Sequence, residues 1–219
     1  MKTRKFLKIF GFDLGFFVLL IIIFAFLRAK IRTYLSVIGD YNSLIAGINP
    51  ENDLAKAVDV LQGLSSVAGK AYFLILVAPI VIYLVYVFMQ GMSFNLNKKD
   101  KYLLKFSIAS LPGYVFLLLA FNYAWLNVIV LLLFFVLCYF TFLFYLKPYY
   151  KGVLKLAKDF KMILYFIAYL LFFVFIFSFF MIFYLETLAD SYMYAYLIFA
   201  LIFILGLSRY KLWLVEKFS

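Results

Sequence analysis

The sequence predicts an all-α fold: a polytopic integral membrane bundle of about six transmembrane helices, N-in/C-in, with an external helical hairpin between helices 1 and 2. Three observations carry this. The 219 residues are 68% apolar and only 14% charged, whereas a soluble domain is roughly half apolar and a quarter charged. Apolar runs recur at the ~20-residue length a helix needs to cross ~30 Å of hydrocarbon. Lys and Arg gather at alternate ends of those runs, as inner-side loops require.

A basic segment at 1–8 carries Lys2, Arg4, Lys5 and Lys8. The first span follows at 9–27 and ends on Arg28. Its length, and the lack of a small-x-small cleavage site, identify a retained signal anchor rather than a removed leader. The second span covers 71–92. The apolar tract from Tyr102 to Leu146 is too long for one crossing. It divides into spans at 102–121 and 127–146, with the turn at Asn122–Asn127, where two amides flank Trp125. The fifth span is 161–185 and the sixth 191–208, leaving 209–219 as a cytoplasmic tail.

Charge sets the orientation. Lys98, Lys99, Lys101 and Lys105 lie after the second span. Lys147, Lys151, Lys155, Lys158 and Lys161 lie after the fourth, and Arg209, Lys211 and Lys217 close the chain. With the N-terminal cluster, these share one side. The five remaining cations, Arg28, Lys30, Arg32, Lys56 and Lys70, fall in segment 28–70 beside Asp40, Glu51, Asp53 and Asp59. The net charge of +11 is therefore mainly a topology signal with attraction to anionic headgroups added, not the footprint of a nucleic-acid-binding protein. The expected compartment is the plasma membrane for a prokaryotic source.

Segment 28–70 has helical spacing at Ile31, Leu35, Ile38 and Ile45, so the first helix is expected to continue outward. Gly47–Pro50 breaks it. Asn49, Pro50 and Glu51 read as an N-cap, a proline at the first helical position and an acid in the first turn. The second external helix runs from Pro50 to Leu64, and Gly63, Ser65, Ser66 and Gly69 end it before the second span. Residues 147–160 read as a cytoplasmic interfacial amphipathic helix. Its cations Lys147, Lys151, Lys155 and Lys158 are expected to contact lipid headgroups.

Composition also excludes chemistry. The chain has no His and a single Cys, which removes His-based triads, zinc-protease motifs and intrachain disulfides. Cys138 reads as a packed apolar thiol. Phosphate loops, nucleophile elbows and Asp-rich diphosphate motifs are absent. The expectation is a non-enzyme with no cofactor and no metal site, whose partners are membrane lipids and a second membrane protein.

One carboxylate, Asp13, falls inside a span, where an ionised group costs about 2.5–3.5 kcal/mol at mid-helix. It calls for a partner, either a cation or proton to be bound, or a nearby lysine such as Lys105 or Lys161. Gly11 and Gly15 form a small-x-x-x-small pair for helix packing, with Asp13 directed away from them. Pro79 and Pro112 interrupt spans two and three. Ser107, Ser110, Pro112 and Gly113 make the most polar stretch of any span, so Asp13, Ser107 and Ser110 are the candidate intramembrane polar site. Glu186 and Asp190 read as a short solvated turn.

Overall fold

The computed structural model describes residues 2–47, 54–95, 101–122, 127–147, 150–184 and 190–218. Among these residues the chain is helical throughout, with no strand. The elements are α1 (Lys2–Ala46), α2 (Leu54–Phe94), α3 (Tyr102–Asn122), α4 (Asn127–Leu146), α5 (Tyr150–Ala157), α6 (Lys161–Tyr184) and α7 (Asp190–Phe218). All but the short α5 are long and apolar enough to cross a membrane, which makes six such helices. The expected Asn49–Glu51 cap, most of the Asn122–Asn127 turn, and the side chains of Glu186 and Asp190 lie outside the described residues.

The chain divides into two compact units. One comprises residues 19–84 and the other residues 1–18 with 85–219.

The 19–84 unit is built from the C-terminal part of α1 and the first three quarters of α2. Both helices are long, and α2 runs on further than the sequence predicts. α1 has 45 residues and passes Arg28 without a break. α2 has 41 and passes straight through Gly63, Ser65, Ser66 and Gly69, where a break was expected. At ~1.5 Å per residue each exceeds ~60 Å, twice a hydrocarbon core. The reason lies in the spacing of the half-buried positions. On α2 these include Ala57, Val60, Leu64, Val67, Ala71, Leu74 and Ala78, an alternation of three and four residues. On α1 Leu20, Phe24, Leu27, Tyr34, Ile38 and Tyr41 are half-buried in the matching alternation, with the exposed Ile31 at the position between Leu27 and Tyr34. This is a heptad seam. Its large side chains on α1 suit the smaller ones on α2, and the Tyr41 ring lies over Gly63, where any Cβ would collide with it. The seam offsets the ~1 kcal/mol by which each glycine weakens a helix. Gly47 N–H donates to the Leu44 carbonyl at 3.1 Å where α1 ends.

In the other unit, α3 and α4 form one antiparallel hairpin and α6 and α7 another. Buried apolar residues gather where α1, α3 and α6 begin and α2, α4 and α7 finish. They include Ile9, Phe16 and Phe17 on α1, Tyr102 and Phe106 on α3, Phe142 to Leu146 on α4 (Phe144 being half-buried), and Leu207, Leu212 and Leu214 on α7. Aromatic contacts knit this end together. Phe94 stacks on Tyr145 at 4.3 Å, and the Phe142 and Tyr169 rings lie 5.3 Å apart. Such pairs contribute about 0.5–1.5 kcal/mol each beyond area burial. Two glycines permit close helix approach. A Cβ at Gly91 would sit 2.6 Å from Leu103 Cδ2, and one at Gly206 would sit 2.9 Å from Phe172 Cε1.

Two boundaries differ from expectation. α5 spans eight residues rather than 147–160, because Asp159 turns the chain into α6. Its carboxylate accepts from Lys161 N–H at 3.0 Å, an N-cap bond. α7 does not stop at Ser208 but continues to Phe218. Residues 211–215 belong to the core rather than to a solvated tail, apart from the exposed Trp213.

Candidate functional site

Four buried polar residues of this core, Gln90, Ser93, Ser208 and Lys211, gather around Asp13. On α1, Ile9, Asp13, Phe16 and Phe17 follow i, i+4, i+7, i+8 spacing and form one buried stripe. Asp13 is therefore a core position occupied by a carboxylate. On α2, Gln90, Ser93 and Phe94 share a face; on α7, Ser208 and Lys211 are one turn apart and share another. All five polar side chains are completely buried, at 0% exposure.

The bonding is dense. Lys211 Nζ donates to Asp13 Oδ1 at 2.5 Å and to Gln90 Oε1 at 2.6 Å, and lies 3.4 Å from Ser93 Oγ. Ser93 Oγ donates to the same Asp13 Oδ1 at 3.0 Å. Ser208 Oγ stands 2.8 Å from Asp13 Oδ2 and 2.9 Å from its own helix's Ile204 carbonyl. Its single proton is best placed on the charged acceptor. The ammonium also lies over three rings, Phe94 at 5.1 Å, Phe173 at 5.7 Å and Tyr169 at 5.9 Å, where the ring quadrupoles favour a cation. Gln90 Nε2 is buried without a hydrogen-bond partner among the described residues.

A second polar group adjoins through Phe94. The hydroxyls of Tyr86 and Tyr145 are in contact. Tyr102 donates to the Tyr145 carbonyl at 3.3 Å, and Phe106 stacks on Tyr145 at 4.8 Å. Among the described residues no three His, Cys, Asp or Glu side chains come together as a metal site would require.

Asp13's cationic partner is Lys211, not Lys105 or Lys161, which are both exposed. From sequence, Lys211 is expected in the tail because a charge ends the apolar run. Yet Ala200, Ile204, Leu207, Lys211 and Leu214 repeat at four and three residues, and all five are buried. That periodicity was the available signal for Lys211. Gln90, Ser93 and Ser208 carried none beyond their polarity. The Ser107 hydroxyl donates to the Leu104 carbonyl at 2.8 Å and that of Ser110 to the Ser107 carbonyl at 3.3 Å. These bonds tie both serines to α3's own backbone, whereas the bonds to Asp13 come from α2 and α7. Besides the Tyr102–Tyr145 bond, α4 approaches α3 at Thr141, whose hydroxyl lies 3.0 Å from the Ala109 carbonyl and 2.8 Å from its own helix's Leu137 carbonyl.

Of the two glycines assigned to packing, Gly15 is approached by Met89 of α2, whose Cε would lie 3.4 Å from a Cβ. At Gly11 there is nothing within 4 Å. On and beside α5, Lys151, Lys155 and Lys158 are exposed and Lys147 is half-buried, while Gly152 and Val153 face inward. Cys138 is half-buried and lies near Gly113.

Six long apolar helices make the chain compatible with a multi-pass integral membrane protein. No protein-family model, curated protein or solved structure matches it.

Proposed function

We propose that this is a non-enzymatic multi-pass membrane protein, N-in/C-in, acting as a structural, lipid-interacting or assembly subunit, in the plasma membrane if its source is prokaryotic. One observation carries the reading: the carboxylate of Asp13 is already engaged. It accepts from Lys211, Ser93 and Ser208, three bonds against the roughly four lone-pair positions a carboxylate offers, and it is fully buried. A carboxylate held this way serves to join α1, α2 and α7. Catalysis by a Ser–Lys couple needs a neutral lysine beside a reachable serine. Ser93 and Lys211 are 3.4 Å apart, but the lysine is paired with an acid and the serine is buried. The exposed cations of the α5 region support contact with anionic headgroups on the cytoplasmic side.

Gentle detergent extraction tests this reading. A second membrane protein or tightly held anionic lipid should copurify stoichiometrically; a monodisperse chain free of both would refute it. Gln90 Nε2, a buried donor without a partner among the described residues, favours a second reading, a small transporter or channel-like protein with its path near Asp13 and Ser107–Gly113. That reading requires ion flux in proteoliposomes that Asp13→Asn abolishes.

A further inference from the structure

We propose that the 19–84 hairpin carries a binding surface for anionic lipid headgroups of the outer leaflet, formed by Arg28, Lys30 and Arg32 of α1 with Lys70 of α2. The outer placement rests on the N-in orientation proposed above; the headgroup contact itself does not.

Lysines and arginines flanking a span are normally kept on the inner side. The sequence honours this in its other outer turns: 122–127 has no charge, and 185–190 has only Glu186 and Asp190. The hairpin departs from it with four cations at one level. Arg28, Lys30 and Arg32 occupy about 6 Å of helix axis. The seating of Tyr41 on Gly63 sets an antiparallel register that brings Lys70 opposite the Ile31–Tyr34 stretch. The whole band thus spans about 9 Å of helix axis, which long Lys and Arg side chains can gather into the ~5–7 Å headgroup layer of one leaflet. Lys30, Arg32 and Lys70 are exposed.

A second, independent feature marks the same depth. Phe26 is 54% exposed, Tyr72 69% and Phe73 68%. They stand beside the cations, with Lys30 Nζ 5.8 Å from the Phe26 ring centroid. A tyrosine next to cations is the pattern of a side-chain belt at the boundary between headgroups and hydrocarbon, and Phe26 and Phe73 are apolar neighbours suited to acyl chains. A soluble acidic partner would account for the charges but not for three exposed rings. An anionic lipid accounts for both, the phosphate meeting the cations and the acyl chains meeting the rings.

The test uses the full chain in proteoliposomes of phosphatidylcholine and phosphatidylglycerol in equal parts. A fluorophore is attached through Ile75→Cys, exposed beside this surface, in a Cys138→Ser background. Brominated phosphatidylglycerol should report an effective affinity at this position about fivefold above that of brominated phosphatidylcholine, the enrichment a single near-surface cation supplies. Arg28→Gln, Lys30→Gln, Arg32→Gln and Lys70→Gln together should abolish the preference. Lys151→Gln, Lys155→Gln and Lys158→Gln together should leave it intact. If the four-site variant does not fold, the unsubstituted cations serve instead. Raising salt from about 0.1 to 1 M shortens the screening length from about 10 to 3 Å and should remove the preference. Equal quenching by the two lipids, or a preference untouched by both salt and substitution, overturns the proposal. Ser43→Cys, exposed near the hairpin tip, should react with an impermeant maleimide on intact cells. Reaction only after permeabilisation overturns the orientation and the outer placement, while the lipid preference still decides the headgroup contact.

Discussion

If Asp13 and Lys211 are mutually compensating core residues, removing one should cost far more than removing both. Lys211→Met keeps the volume but leaves a buried carboxylate with only Ser93 and Ser208. Asp13→Leu leaves a buried ammonium with Gln90 Oε1 and three ring faces. Breaking a buried pair this way destabilises by about 3–5 kcal/mol, so independent effects would sum to about 6–10. The double variant buries no charge. Its remaining penalty is set by the polar groups left behind. Ser208 keeps the Ile204 carbonyl, whereas Ser93 and Gln90 Oε1 lose the partners recorded for them, at about 1–3 kcal/mol for an unsatisfied buried group. With two groups unsatisfied the double variant costs about 2–6 kcal/mol, so the expected coupling centres on about 4 kcal/mol. Reversible unfolding in mixed micelles, followed by tryptophan fluorescence through Trp213, supplies the four free energies of the cycle. If the double variant equals the sum of the singles within about 0.5 kcal/mol, the pair is not the joint described above.

Three further outcomes follow from local geometry. Gly206→Val should destabilise by about 1–3 kcal/mol through overpacking against Phe172, while Gly11→Ala, with nothing within 4 Å, should be neutral or stabilising by up to about 1 kcal/mol; thermal midpoints in detergent compare them. Asp159→Ala should cost about 1 kcal/mol by removing the α6 cap, read as faster amide exchange at Lys161, and Asp159→Asn should preserve protection. Lys101 has φ 77°, the left-handed region that disfavours a side chain by about 1–2 kcal/mol, so Lys101→Gly should raise the thermal midpoint.

The six apolar helices were legible because crossing length and composition are properties of each segment alone. What depended on pairing was not. Asp13 stood out as a residue needing a partner, yet the groups that satisfy it lie 80, 195 and 198 positions away, beyond any local pattern. Lys211 carries the charge that normally marks the end of a span, yet the four-and-three repeat through Ile204, Leu207 and Leu214 continues across it. The α2 break expected at Gly63–Gly69 failed for a related reason. Glycine and serine weaken a helix in isolation, but Tyr41 needs the space Gly63 leaves, and the seam that binds the two helices is written in positions rather than in residue types.

The placement of the charge pair also bears on specificity. Apolar helices in lipid gain little from touching one another rather than acyl chains, so many packings of α1, α2 and α7 have similar energies. A carboxylate and an ammonium in the core change this, because any register that separates them leaves each charge without its partner, at up to about 2.5–3.5 kcal/mol on the scale for a helix centre. The pair then acts against wrong packings as much as for the right one. The double apolar variant distinguishes these roles. It should remain helical and inserted while losing register. A short thiol crosslinker between Gly15→Cys and Met89→Cys, positions that face each other across α1 and α2, measures this in a Cys138→Ser background. Efficient crosslinking with the pair intact, and a dispersed, inefficient pattern in Asp13→Leu/Lys211→Met, is the expected result. Undiminished crosslinking there would show that the aromatic core alone sets the register.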